Sequence, residues 1–283
     1  MLSGEGGDEA FGGYHTYRNF SSLERLKSAL GPFEGLLAPV LSALAHMPLL
    51  GKCAQIAPFA TRAVGDYYYS RAASPFSFFN RNKEIFYSPG FRETVNEGLS
   101  LQIIRELFGR VRSEPALNQM QYVDVKTSLP DDLLVKADKM TMANSLELRV
   151  PFLDHVVMEF AASLPPSYRV KGLATKRVLK QAFQTRIPKE IIKRKKAGFP
   201  IPIETWMRYD LSGPVREILL SRACIDRGYF KKSAVENLLS LGGRGFPVSK
   251  EIFSLLTLEL LHLEFADFRT QKASTASRAA SVH

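Results

Sequence analysis

The sequence predicts a predominantly α-helical chain, on two kinds of observation. Apolar residues recur three or four positions apart: Phe20, Leu23, Leu26 and Leu30 within residues 19–30, and Ile252, Phe253, Leu256, Leu260 and Leu263 near the end. That spacing lines one face of a helix. Helix-ending pairs follow several such runs, namely Gly31-Pro32, Pro165-Pro166 and Gly242-Gly243, because glycine and proline do not continue a helix.

Taken in order, Met1-Leu2 is placed to be the tail of a strand, though two residues are too few to show one. A glycine-rich acidic stretch follows, and the helical pattern begins after Tyr14. Residues 34–46 continue it with Leu36, Leu37, Val40, Leu41 and Leu44. The segment 64–91 is aromatic (Tyr67, Tyr68, Tyr69, Phe76, Phe78, Phe79, Phe86, Tyr87, Phe91). Such rings either stack bases or pack helices together, and packing is the expected role.

Residues 101–109 and 116–127 read as two helices, and Pro130, Asp131 and Asp132 suit the first turn of another. Asp132, Lys136 and Lys139 are spaced to share one face of it. Asp154 reads as the N-cap of a helix over 155–163. The next helix, about 174–185, carries Lys176 near its start, where a cation reinforces the positive helix end, as in phosphate sites; an exposed surface lysine is the alternative. A basic run follows, with Arg186, Lys189, Lys193, Arg194, Lys195 and Lys196. Beyond 213, Ser233 and Glu236 form an expected capping box, and Ser249 an expected cap for a last helix to about Phe268. Residues 269–283 read as a disordered tail.

Composition narrows the function classes. A chain of 283 residues, 45% hydrophobic, is long enough for one large or two ordinary domains. A net charge of +10 suits an anionic ligand such as ATP or pyrophosphate, and equally nucleic acid or a membrane surface. Cys53 and Cys224 give no disulfide framework and fit a reducing cytoplasm, each thiol being expected as a small buried hydrophobe. The apolar stretch from Gly35 to Leu50 is broken by Pro39, His46 and Pro48 and falls short of the ~20 residues of a membrane span. The five histidines have no metal-ligand spacing, and zinc and serine-hydrolase motifs are absent.

The stretch Ser3-Gly4-Glu5-Gly6-Gly7-Asp8-Glu9, running on to Phe11-Gly12-Gly13-Tyr14, packs glycines between carboxylates. Glycine lets backbone approach a ligand. Mg²⁺ usually takes one or two protein carboxylates plus phosphate oxygens. The string therefore reads either as one wall of a nucleotide–Mg²⁺ site or as a surface turn rich in glycine and aspartate.

This string resembles the second signature of the glutamine-dependent asparagine synthetases. Four further blocks are similar to that family's and stand in its order. They are Leu129-Pro130-Asp131-Asp132-Leu133-Leu134 through Met140, Arg149-Val150-Pro151-Phe152-Leu153-Asp154, Lys176-Arg177-Val178-Leu179-Lys180, and Gly198-Phe199-Pro200 with Pro202 and Trp206. The resemblance covers roughly residues 1–265. It implies an α/β fold, a parallel-sheet synthetase domain of the adenine nucleotide α-hydrolase kind, of which residues 1–268 would be the mostly helical C-terminal portion. Position 2 is Leu2, where the family exposes a catalytic cysteine, and the family's pyrophosphate-gripping S-G-G-x-D-S string does not occur. The expectation is a C-terminal piece of a longer enzyme, incomplete as a catalyst alone.

The resemblance further implies ATP-dependent amidation of aspartate through β-aspartyl-AMP, with ammonia from glutamine delivered by a glutaminase domain. ATP and Mg²⁺ are the implied cofactors. Asp8 is implied at the Mg²⁺–pyrophosphate contact, Glu5 at the acyl-adenylate and incoming amine, and Lys176 at the charge of the adenylation transition state. Ser3, Gly4, Gly6, Gly7 and Glu9 would shape and support the turn. Arg194 and Lys196 would face pyrophosphate from a mobile loop, Asp138 and Lys139 would lie close behind the site, and Arg149 is the side chain of its block placed to reach an anion or an interface. Glu5 distinguishes the chain from β-lactam synthetases, which resemble it elsewhere but carry an aromatic residue there. The residues do not specify aspartate, so an amidotransferase acting on another carboxylate and a non-catalytic basic binding module remain alternatives. A homodimer is one expected arrangement. A membrane is not an expected partner, and nucleic acid is disfavoured.

Overall fold

A computed structural model describes residues 1–44, 57–69, 78–95, 98–194 and 201–267. Lys196, Gly198-Phe199-Pro200, Cys53 and the tail 269–283 lie outside the described residues. The chain divides into two compact units, one formed by residues 1–75 and 97–195 and the other by 76–96 and 196–283.

The first unit holds α1 (Gly7–Phe11), α2 (His15–Leu30), α3 (Leu37–Leu44), α4 (Leu99–Arg110), α5 (Ala116–Lys126), α6 (Val135–Met142), α7 (His155–Ser163) and α8 (Arg177–Ala182). The helices expected over 19–30, 101–109, 116–127 and 155–163 are therefore present. Asp154 caps α7 as expected, its carboxylate accepting the Val156 N–H at 2.9 Å. Gly31, at φ 51°, ends α2. The chain then winds as a 3₁₀ helix over Gly31–Leu36. Hence the helix expected from residue 34 starts only at Leu37, because Pro32 opens the tighter winding.

The aromatic segment packs. Tyr67 and Tyr68 are buried, with ring centroids 4.9 Å (Phe20–Tyr67), 5.1 Å (Phe59–Tyr67) and 6.4 Å (Tyr68–Phe108) apart. α5 runs through the middle of this unit. It buries Leu117, Met120 and Val123 along with two polar residues, Gln121 and Asp124, and touches α1, α2 and α4.

The L-P-D-D-L-L block departs from expectation. Leu129–Leu134 is wound as a π-helical turn before α6 begins. Its longer turn buries Leu129 and Leu133 and breaks the α spacing that would have aligned Asp132 with Lys136 and Lys139. Asp131, Asp132, Lys136, Asp138 and Lys139 are all exposed.

The described residues hold isolated β-bridges, not a sheet. One bridge is parallel, Leu2 with Arg149, closed by Ser3 N–H to Arg149 C=O and Arg149 N–H to Met1 C=O, both 2.9 Å. The α/β expectation has this single parallel rung behind it, and the described chain is mostly helical.

The second unit holds α9 (Ser212–Leu219), α10 (Lys232–Gly243) and α11 (Ser249–Leu261), the last continuing as a π-helical turn over His262–Asp267. Its core is apolar: Phe86, Met207, Val215, Leu219, Val235 and Leu238, with Ile252, Leu255 and Leu256 from α11. Two expected caps are corrected here. Lys231 is the N-cap of α10 and Ser233 lies inside it, since the Tyr87–Phe230 bridge and the Lys231 N–H to Phe86 C=O bond (2.8 Å) fix where the chain enters. Val248 is the N-cap of α11, so Ser249 is its first helical residue and caps nothing. The expected apolar face of α11 also splits: Ile252 and Leu256 are buried, whereas Phe253, Leu260 and Leu263 are exposed. Cys224 is half-buried, its thiol pushed up to about 12 by burial and then by Glu259, which suits the inert role expected of it. No helix among the described residues is long and apolar enough to cross a membrane.

Candidate functional site

The site is built on α1, a helix of only five residues. So short an element does not stand alone; its neighbours hold it. It touches α5, α7, α8 and the turn Pro151–Leu153. Beneath it Ala10, Phe11 and Ala161 form a small apolar cluster with Phe152, Val157, Leu164, Val178 and Leu179. Three of the sequence blocks thus meet through their apolar residues or helices.

Gly6 is the entry to α1, at φ 81°, and a Cβ there would run into the Leu153 side chain. Positive φ and close packing leave room for glycine alone. Gly7 lies against the Phe152 ring, 3.1 Å from where its Cβ would stand, and Gly4 has open space around it. Ser3 receives the Glu5 N–H on its hydroxyl at 3.4 Å, and Glu5 itself is half-buried.

Asp8 and Lys176 come together, with Lys176 Nζ 2.7 Å from Asp8 Oδ1. Both remain reachable, their side chains 24% and 33% exposed. Gly13 makes this approach feasible. Its N–H bonds the Asp8 carbonyl at 2.8 Å, and a Cβ on it would strike both the Asp8 carboxylate and the Lys176 stem.

Lys176 is the N-cap of α8 and sits in the left-handed region at φ 49°. α8 has six residues and begins at Arg177, so the helix-end charge expected to reinforce the lysine is small. What positions Lys176 is the strained backbone. That conformation costs about 1–2 kcal/mol, and a partly exposed ion pair returns about 0–1 kcal/mol. The pair alone does not repay the strain, so the surrounding fold holds the lysine there.

Glu9 differs from Asp8 in every respect. It is buried, 1% exposed, and its carboxylate accepts the Tyr14 hydroxyl at 2.5 Å. Burial raises its pKa; the Tyr14 bond opposes this, and the charges of Asp8 and Asp124 add to it. Glu9 faces inward.

Behind it lies a polar network that the sequence did not announce. Gln121 Nε2 donates to the Glu9 carbonyl at 2.5 Å, and Gln121 Oε1 accepts from Arg169 Nη1 at 2.6 Å. Arg169, 2% exposed, also bonds Asn118 and the Leu164 carbonyl, and burial pulls its pKa down to about 10. Asp124 accepts the hydroxyls of Tyr17 and Tyr68, both held well above the usual tyrosine range by burial and by that carboxylate. The signal that could have exposed these residues is Gln121 and Asp124 at i, i+3 on the apolar face of α5.

Two further residues named from the sequence stand apart from this pair. The Arg149 side chain pairs with Glu147 and is exposed; its backbone, not its charge, serves the site by pinning Met1–Ser3. Arg194 is exposed at the end of the helix Lys189–Lys193, and no described contact joins it to the acidic turn.

The donor set bears on a metal. Among the described residues no group of three or more metal-ligating side chains exists. Asp8 is a single accessible carboxylate beside a gap that a Cβ would fill. That fits an ion carried in on phosphate oxygens and does not fit a resident one.

The site thus combines a glycine-lined carboxylate turn with a lysine fixed opposite it. Residues 1–263 match the Asparagine synthase family. The chain belongs to that family. It is 38% identical over 223 residues to asparagine synthetase [glutamine-hydrolyzing] 1 of Bacillus subtilis, covering 77% of this chain and 33% of the relative. It is 35% identical over 218 residues to a putative asparagine synthetase of Mycobacterium tuberculosis, covering 74% of this chain and 30% of the relative. A fungal relative, amidase chry2 of Gibberella zeae, is 25% identical over 255 residues, 84% of this chain and 37% of its own. The chain spans about a third of the length of these relatives. No solved structure matches it significantly.

Proposed function

We infer that this chain carries the pyrophosphate-facing part of a glutamine-dependent asparagine synthase, an ATP-dependent carbon–nitrogen ligase. The observation that carries this reading is the Asp8–Lys176 pair at 2.7 Å, which joins the acidic turn to the K-x-x-L-K block. In this reading the aspartate β-carboxylate attacks the α-phosphate of ATP. The oxygen–phosphorus bond to the acyl group forms, the bond to pyrophosphate breaks, and β-aspartyl-AMP results. Ammonia, obtained from glutamine by a segment outside this sequence, then displaces AMP and loses a proton.

The chain's own residues orient and neutralise. Lys176 offers three N–H donors to the α- and β-phosphate oxygens as negative charge shifts toward pyrophosphate. Asp8 is the residue that would hold Mg²⁺, which when bound screens the leaving pyrophosphate. Glu5, half-buried next to the turn, is assigned to the amine step, taking the ammonium proton as the amide forms. Glu9 is excluded from chemistry by its inward bond to Tyr14. Ser3, Gly4, Gly6 and Gly7 shape the turn, and Arg194 and Lys196 are assigned weaker contacts to pyrophosphate.

The acceptor is the open element, because no residue here specifies aspartate and a relative named as an amidase aligns over most of the chain. The test supplies the N-terminal two-thirds of the Bacillus relative in trans with Mg-ATP, ammonium and aspartate. Equal amounts of asparagine, AMP and pyrophosphate are expected, and none with Asp8→Asn. Product from another carboxylate but not aspartate favours the wider amidotransferase reading. No Mg²⁺-dependent product from any carboxylate contradicts both.

A further inference from the structure

We propose that Lys176 is a built-in counter-ion for Asp8, which keeps divalent cations off the carboxylate until a polyphosphate draws the ammonium away. This deepens the proposed function and rests on it, by stating the order in which that site fills.

The geometry is specific. The ammonium lies 2.7 Å from Asp8 Oδ1, the position a cation would take. The lysine is held there by a backbone at φ 49° and is the residue that opens α8, so its approach is a property of the fold. Gly13 keeps the space between the two side chains clear.

Asp8 does not stand in a ready-made metal cluster among the described residues. Glu9, its neighbour, is buried and turned to Tyr14. Mg²⁺ sheds water reluctantly and gains little from one carboxylate that an ammonium already neutralises. A chain of phosphates changes both sides of the balance. It gives the three ammonium donors several anionic oxygens, which releases Asp8, and it brings ligand oxygens of its own to the metal. Metal and polyphosphate then bind cooperatively, each strengthening the other by the same factor. Both side chains are partly exposed while Asp8 Oδ1 itself is buried, so the ammonium must move before a cation reaches that oxygen.

The experiment is a Mn²⁺ titration of the full chain, read by the electron paramagnetic resonance signal of free Mn²⁺, with no nucleotide present. Lys176→Met removes the charge and keeps most of the apolar stem, and Lys176→Gly relaxes the left-handed backbone, so a folding defect in the first leaves the second to decide. Wild type is expected to bind Mn²⁺ at least tenfold more weakly than both variants. Adding Asp8→Asn to Lys176→Met is expected to return the affinity to the wild-type level. Inorganic pyrophosphate is expected to tighten Mn²⁺ on the wild type at least tenfold. Equal Mn²⁺ affinity in wild type and both Lys176 variants overturns the proposal. Because no ATP or acceptor is present, that result stands apart from a failure of the synthase reading, which would appear only as absent product.

Discussion

The two units solve their interiors in opposite ways. The first surrounds the candidate site with buried polar groups: Glu9, Gln121, Asp124 and Arg169, bonded to one another or to Tyr14, Tyr17 and Tyr68. The second packs aliphatic and aromatic side chains, with Leu238 and Ile252 at its centre and the Arg227–Glu259 pair (2.8 Å) as its main buried charge contact. Apolar packing is the more economical way to stabilise a core, since it is non-directional. Hydrogen-bonded polar groups cost desolvation but fix positions. The difference teaches that the first unit gives up some stability to hold one short helix and its carboxylate in place.

Substitutions in the two units should separate stability from site function. The largest expected effect is in the second unit. Leu238→Ala removes a side chain 1% exposed and should lower unfolding free energy by about 2–5 kcal/mol in urea, with pyrophosphate binding unchanged. Loss of binding at temperatures where the protein stays folded would erase the distinction. Gly13→Ala should do the reverse. Its Cβ would stand 2.7 Å from Asp8 Cγ, so pyrophosphate release in the reconstituted reaction should fall about 100-fold while the melting temperature barely moves.

Gln121→Leu should fall between them. It strips the Glu9 carbonyl and Arg169 of one partner each and should cost about 1–3 kcal/mol by denaturation. Glu9→Gln should act through pH. A carboxyl whose pKa is raised on folding binds its proton more tightly in the native state, so native stability falls as pH rises from about 4.5 through the folded value. The amide does not titrate, and the stability curve of the variant should be flatter over that window. Arg149→Ala should be the smallest, within about 0.5 kcal/mol, since its ion pair is exposed.

The sequence made the site's outline legible because glycine and carboxylate are local signals. Gly6 must be glycine for its own φ, and Asp8 announces itself by standing in the turn. Helices with strong period, such as α2, α5 and α7, were legible for the same local reason. Lys176 was found by resemblance, while its left-handed backbone was hidden, since nothing in the string around it calls for positive φ. The cap expected at Ser233 is displaced because distant pairing, between Tyr87 and Phe230, decides where the chain enters α10. The π-helical turn at Leu129–Leu134 was missed because the pattern of two buried leucines four apart also fits an α-helix. Arg169 was invisible because a buried arginine takes its meaning from partners such as Gln121, brought near only by folding.

The proposed role of Asp8 and Lys176 is a joint, metal-dependent polyphosphate site. Calorimetric titration of inorganic pyrophosphate into the full chain, with and without Mg²⁺ and at two salt concentrations, tests it most directly. The account predicts binding that requires Mg²⁺, weakens at least tenfold in Lys176→Met, and loses its Mg²⁺ dependence in Asp8→Asn. Binding that ignores Mg²⁺, falls steeply with salt and is untouched by either substitution would contradict it, and would mark the chain's positive charge as a general polyanion surface.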